Sequence, residues 1–294
     1  MRAGIKGTLA ALGTLAALAP SLGAISAAPA AAAGHQRGPA PTEQSVLSAR
    51  GPFTYSTVSV PESAGGAFGT GTIYYPDDTS QGRFGGVAIV PGYTSVEAHI
   101  AWLGPRLASH GFVVMTLNSN GLYDQPTARG QALLGALDHL ARTSPAAVQA
   151  RLDPQRMGVM GHSMGGGGAL YAVWSRPSLK AGVPLAPWHS IKNWSAVTPA
   201  TMIIGGSADT VAPVDRHSER FYGSLTQAKE RAYAELAGAN HSSSFLHEDH
   251  PVIGKLAVSW LKRFIDGDTR YDQFLCPPPA SPALTEYRGS CPHP

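Results

Sequence analysis

Cysteine and charge are what this 294-residue chain has least of. It carries two cysteines, Cys276 and Cys291, and only 14% of its residues are charged. The thiols lack the basic or helix-N-terminal setting that activates a nucleophilic cysteine, which argues against thiol catalysis. In an exported chain, two thiols so placed are expected to form a disulfide. It would close a Pro-rich tail with little core of its own, worth about 3 kcal/mol in the chain-entropy model. The charges nearly cancel: without Arg2 and Lys6 in the leading segment, the 22 Lys+Arg fall to 20, against 19 Asp+Glu. That balance offers no footprint for nucleic acid or for an anionic membrane. Internal repeats and heptads are absent as well.

What is present begins with an export signal. Arg2 and Lys6 open an Ala/Leu-rich run from about Gly7, and small-residue A-x-A sites cluster between Ala28 and Ala33. The run approaches the length of a membrane span. Pro20, Gly23, Ser26 and Pro29 interrupt it, so cleavage is expected and no membrane anchor. Residues 1–33 are read as signal peptide, 34–48 (GHQRGPAPTEQSVLS) as a disordered leader, and 49–294 as one catalytic domain. A secreted, extracellular monomer is expected.

Apolar, β-branched runs alternate with helical patterns from about residue 53 to 266. FTYSTVSV (53–60) and TGTIYYP (70–76) read as an opening antiparallel pair. GGVAIVPGY (85–93), FVVMTLN (112–118), MGVMGHS (157–163), GVPLAPW (182–188), TMIIGG (201–206) and RAYAELAG (231–238) read as further strands. Leu133, Leu134, Leu137 and Leu140 form one helical stripe, and a last helix runs from Val252 to about Ile265. Such alternation predicts a single-domain α/β fold with a mostly parallel sheet of about eight or nine strands and helices on both faces.

Gly161-His162-Ser163-Met164-Gly165 matches G-x-S-x-G. In a chain this rich in glycine the match alone is weak, but it follows an apolar strand and runs into a helix start. A sharp strand-to-helix turn lifts the Ser hydroxyl into the open, and the helix N-terminus offers unpaired N–H groups to a developing oxyanion. The mid-chain position argues against a nucleotide-binding loop, which belongs at the first βα turn. Serine needs a base to take its proton. The chain order Ser, acid, His then selects Asp209, after TMIIGG, and His241, after RAYAELAG. Asp215 lies too far into the next helix. His241, His247, Glu248, Asp249 and His250 could suggest a metal cluster, but a polar, solvated loop accounts for them better. His99, His110 and His139 read as helix-surface or helix-end residues. The oxyanion donors are expected to be the N–H groups of Met164 and Tyr93. Between Ser163 and Asp209 stand one helix and two strands, which leaves an open groove.

VPGYTS (90–95), GHSMGGGG (161–168), APWHSIKNW (186–194), ADTVAPV (208–214), LKRFIDGDTRYDQFLCP (261–277) and EYRGSCP (286–292) together resemble the bacterial, actinomycete-type cutinases. These are polyester hydrolases that include the PET hydrolases. The resemblance spans about Phe53 to Cys291. It implies an α/β-hydrolase fold with no cap domain, the same triad and oxyanion donors, an aromatic clamp of Tyr93 and Trp188, and further substrate contacts at Thr94, His162 and Ser242. It also implies a Cys276–Cys291 disulfide and no cofactor. The implied activity is hydrolysis of cutin and synthetic polyesters, PET among them, through an acyl-enzyme. A general carboxylesterase or triacylglycerol lipase is the alternative within enzymes, and a non-catalytic hydrolase-fold binding protein the alternative outside them. Two departures stand out. Ser242-Ser243-Ser244-Phe245 occupies the place where many members carry Phe-Ala-Pro-Asn, so a wider, less apolar rim is expected. Ser207 and Ala237 occupy two positions where relatives bind calcium through acids, with Glu286 the only acid near the third, so no metal ligand is expected.

Overall fold

The computed structural model of the protein describes residues 35–62 and 66–293, together with residues 1, 3, 4 and 7. Apart from those four positions, the export signal read over 1–33 lies outside the described residues. In β3 (Phe84–Val90) every residue is buried, because Val87 and Ile89 face one layer while Ala88 and Val90 face the other. An uninterrupted apolar run gives this two-sided burial in a strand covered on both faces. β4 (Phe112–Leu117) and β7 (Ala200–Gly206) are buried throughout in the same way. β5 (Leu152–His162), β6 (Ala181–Leu185) and β8 (Arg231–Leu236) complete the parallel core. β1 (Tyr55–Val60) and β2 (Gly71–Pro76) form the expected antiparallel pair, and β2 joins the core against β4. The order is β1-β2-β4-β3-β5-β6-β7-β8-β9.

One face is covered by α2 (Leu103–Ser109) and α7 (Pro251–Ile265), the other by α3 (Pro126–Arg142) and α5 (Met164–Ser175), with α4 (Ala146–Arg151) and α6 (Ser218–Ser224) beside them. Leu133, Leu137 and Leu140 of the α3 stripe are fully buried. The chain passes from β3 out to β4 and back to β5 on the other side of β3, so the sheet changes direction there. Loops leaving the carboxyl ends of β3 and β5 diverge at such a point and leave a crevice. No helix among the described residues is long and apolar enough to cross a membrane.

Two expectations need correction. The segment 34–48 is not a loose leader. Thr42 caps α1 (Glu43–Leu47) by accepting from the Ser45 N–H at 3.1 Å, while its own N–H donates to Ser45 Oγ at 2.8 Å. Val46 is fully buried, and its carbonyl accepts from Arg106 Nη2 at 2.8 Å. Arg106 is itself buried and pairs with Asp249 at 2.5 Å. Composition pointed to disorder, yet one apolar side chain and one carbonyl that a buried guanidinium needs are enough to dock the segment. The C-terminal tail is also more than a disulfide-closed loop. β9 (Leu284–Gly289) pairs antiparallel with β8, Tyr233 opposite Arg288 and Ala234 opposite Tyr287, and the Cys276–Cys291 bond closes the segment leading into it.

A chain beginning at Ala49 would expose the Val46 pocket and leave Arg106 Nη2 with only the distant Pro251 carbonyl, at 3.5 Å, as acceptor. It should unfold at a lower urea concentration, with a loss of about 2–4 kcal/mol. An unchanged midpoint would mean that residues 35–48 merely rest on the surface.

Candidate active site

Ser163 sits where β5 turns into α5, with φ 56° and ψ −121°. A non-glycine residue in this region costs about 1–3 kcal/mol and must be held there. Its N–H donates to the Leu185 carbonyl at 2.9 Å, and its carbonyl accepts from Gly167 at 2.9 Å and from Trp188 at 2.8 Å. The flanking glycines give the crossing its room. A Cβ on Gly161 would lie 2.2 Å from the Gly165 carbonyl, and one on Gly165 would lie 2.4 Å from that of Val90.

Loops from three further strands converge on this turn. Asp209 follows β7 and His241 follows β8. His241 Nε2 stands 2.8 Å from Ser163 Oγ, and His241 Nδ1 stands 2.6 Å from Asp209 Oδ2. The other Asp209 oxygen accepts from the amides of Val211 at 2.9 Å and Ala212 at 2.7 Å. Burial works against the Asp209 charge, but the His241 hydrogen bond and the two amides outweigh it, so its carboxyl lies below the ordinary carboxylate range. The geometry suits a relay: an ionised carboxylate orients an imidazole whose far nitrogen accepts the serine proton.

Met164 is the first residue of α5, so its N–H is one of the unpaired donors of a helix start. Tyr93 lies in the loop after β3, which reaches the nucleophile so closely that a Cβ on Gly92 would meet Ser163 Cβ at 2.8 Å. Thr94 adopts φ 56°, and its N–H donates to the Leu122 carbonyl at 2.8 Å. Arg129, which the sequence did not single out, ties these loops together. It is fully buried and donates to the carbonyls of Pro91 (3.1 Å), Leu122 (2.9 Å) and Asp124 (2.9 Å). Burial lowers its pKa to about 10, with Asp124 opposing.

The expected substrate contacts Tyr93, Thr94, His162, Trp188 and Ser242 all border one cleft of about 480 Å³ beside Ser163. His162 plays a different part from the others. It is buried, and its Nε2 donates to the His241 carbonyl at 2.7 Å, so it steadies the base from below. Burial first, then the neighbouring His241, pushes its pKa down to about 3. Trp188 is half-buried and stacks on His217 at 5.8 Å between ring centroids, with 28° between the planes. His217 in turn takes a hydrogen bond from Lys192 Nζ to its Nδ1 at 3.0 Å and sets its ring edge-on to Phe221. His217 carried no motif; only its packing exposes its role. Tyr93 meets Tyr123 edge-on at 5.5 Å, and both are exposed. Among the remaining histidines, His250 caps α7, whereas His99 and His247 border the cleft, which sequence position did not reveal. Among the described residues, no three His, Cys, Asp or Glu side chains are grouped to hold a metal ion.

The electrostatics set the pH response. Asp209 keeps its charge until the pH falls below the ordinary carboxylate range, and His162 stays neutral until about pH 3. Loss of kcat/KM on acidification for a neutral ester should therefore follow one proton, gained by the base. The log profile should fall with a slope of one, and a slope of two would bring a second group into the chemistry.

A protein-family model described as PET hydrolase-like (PETase) matches residues 29–292. The bis(hydroxyethyl) terephthalate hydrolase of Streptomyces coelicolor is 51% identical over 294 residues, covering 99% of this chain and 93% of that protein. A cutinase of Thermobifida fusca is 49% identical over 90% of this chain and 88% of its own length. Cutinase 1 of Thermobifida cellulosilytica is 49% identical over 88% and 98%, respectively. With a strand-to-helix serine, an acid and a base in hydrogen-bonded sequence, and a match over nearly its whole length, the chain belongs to the PET hydrolase-like family.

Proposed function

We propose that this protein is an exported serine esterase, acting as a monomer, that hydrolyses ester bonds of cutin and of synthetic polyesters, including terephthalate esters. The hydrogen-bonded sequence Asp209–His241–Ser163, open to solvent along one cleft, carries the reading. Ser163 Oγ attacks the ester carbonyl as His241 Nε2 takes its proton. The tetrahedral oxyanion is received by the N–H groups of Met164 and Tyr93, and His241 returns the proton to the leaving alcohol. Water then repeats the sequence on the acyl-enzyme and releases a carboxylic acid. Export rests on the composition of residues 1–33.

The open cleft supports the polymeric substrate. Only α5, β6, β7 and their connections lie between Ser163 and Asp209, so no cap closes over the nucleophile. Tyr93 and Trp188 offer aromatic faces on opposite loops, each contact with an aromatic diacid ring worth about 0.5–1.5 kcal/mol beyond burial. The names of the relatives, two cutinases and a terephthalate ester hydrolase, agree with this substrate class.

Ser163→Ala should reduce hydrolysis of p-nitrophenyl butyrate by about 10⁴-fold or more, and a phosphonate should label Ser163 in the unaltered protein. Near-normal turnover in the variant would remove serine catalysis from consideration. Trp188→Ala should reduce hydrolysis of an aromatic polyester oligomer far more than that of p-nitrophenyl butyrate. Equal losses on both would make Trp188 a support of the fold and not a clamp.

A further inference from the structure

At the rim of the same cleft stands a pair of side chains that the esterase chemistry does not use. The rings of His99 and His247 lie 4.5 Å apart between centroids, tilted by 54°. They come from distant parts of the chain: His99 ends the 3-10 turn Glu97–His99 that follows the Tyr93 loop, and His247 lies six residues beyond the base. Their juxtaposition is built. The His247 N–H donates to the His99 carbonyl at 2.7 Å, Ser95 Oγ and His99 Nδ1 are hydrogen-bonded at 2.8 Å, and His247 is held at φ 73°. Nε2 of His99 and both ring nitrogens of His247 have no partner among the described residues.

We propose that His99 and His247 form an anion subsite in the cleft of Ser163, which takes the free carboxylate of an acid-ended polyester fragment. The inference rests on the esterase reading, because each turnover on a polyester creates such a carboxylate. No carboxylate among the described residues already fills the place. Glu97 accepts from Thr116 Oγ1 at 2.6 Å, Asp249 is paired with Arg106, and Glu248 is exposed on the residue after His247. The other titratable groups lining the cleft are the exposed Tyr93 and, deeper, His162 and His241.

The chemistry makes the subsite pH-dependent. Burial first, then the neighbouring His247, lowers the pKa of His99. A carboxylate at the nitrogen edges of the two rings reverses that balance by accepting charge-assisted hydrogen bonds from both. Binding of the anion then takes up a proton and strengthens as pH falls, whereas a neutral ligand of the same shape gains nothing. Polyester fragments with a free acid end would be retained at low pH and released at high pH.

Terephthalate, ionised at both ends across this range, and uncharged terephthalamide are the probes. Each is measured as an inhibitor of p-nitrophenyl butyrate hydrolysis at pH 6 and pH 8, with EDTA present so that no metal bridges the rings. Terephthalate should inhibit about tenfold more strongly at pH 6, and terephthalamide equally at both. In the His99→Ala/His247→Ala double variant the ratio of the two inhibition constants should lose its pH dependence, each protein serving as its own reference. The His99→Gln/His247→Gln double variant, which keeps polar side chains without the titration, guards against a folding defect in the alanine variant and should lose the dependence too. Absence of a pH effect on terephthalate in the unaltered protein would overturn the proposal. So would an effect that persists in both variants, since that would put the anion on the His241 imidazolium. Calorimetric titration of Ser163→Ala with the same two probes reads binding without turnover, so a failure of the subsite is told apart from a failure of the esterase reading.

Discussion

The strained backbone of Ser163 is the constraint on which the other parts of the site depend. At φ 56° the residue is unfavourable on its own, and it is kept there by hydrogen bonds that reach different loops. Leu185, at the end of β6, accepts its N–H, and the amides of Trp188 and Gly167 donate to its carbonyl. The turn that carries Ser163 therefore also fixes the start of the loop holding Trp188 and of the helix that begins at Met164. Close backbone crossings at Gly161, Gly165 and Gly167 leave no room for a side chain, the last 2.1 Å from the Trp188 carbonyl for an added Cβ. Ser163, the Trp188 loop and the Met164 N–H are thus tied into one unit, and positioning of this kind is what lets binding energy reach a transition state.

Around that unit the charge is sparse and placed. Asp209 is the one carboxylate bonded to the base, and its depressed pKa keeps it charged while His241 gains and loses a proton. His162 and His217 are both buried close by, with pKa values pushed down to about 3 and about 4. Burial is the first cause in each case, and both stay uncharged. A neutral His162 donates to the His241 carbonyl without competing for the proton, and a neutral His217 accepts from Lys192 while it backs Trp188. The pair His99 and His247 stands apart at the rim of the cleft, where ring contact is combined with free nitrogens, so charge can be gained there away from the relay.

Much of this was legible in the residues themselves. Runs such as GGVAIV and FVVMTL are apolar at consecutive positions, and only a strand covered on both faces buries them all, so the parallel core and its helical layers follow. The glycine-flanked serine after such a run, and the acid and histidine after later strands, could be placed because this fold delivers its functional loops from the carboxyl ends of successive strands. The docked segment 35–48 and β9 were not legible. Their attachment depends on a few contacts, Val46 with Arg106 and the β8 edge with residues 284–289, and neither has a periodicity of its own.

The sequence by itself determined the class of the fold and the order of its elements, and it singled out Ser163, Asp209 and His241 as candidates, because these depend on local patterns and on chain order. Only the tertiary structure decided what surrounds them. That His162 lies beneath the base, that Arg129 ties the Tyr93 loop to residues 122–124, that His217 backs Trp188, and that His99 meets His247 are contacts between residues far apart in the chain. No periodicity records such pairings. They arise when strands and helices from separate segments pack against one sheet, and the geometry of that packing selects which side chains meet.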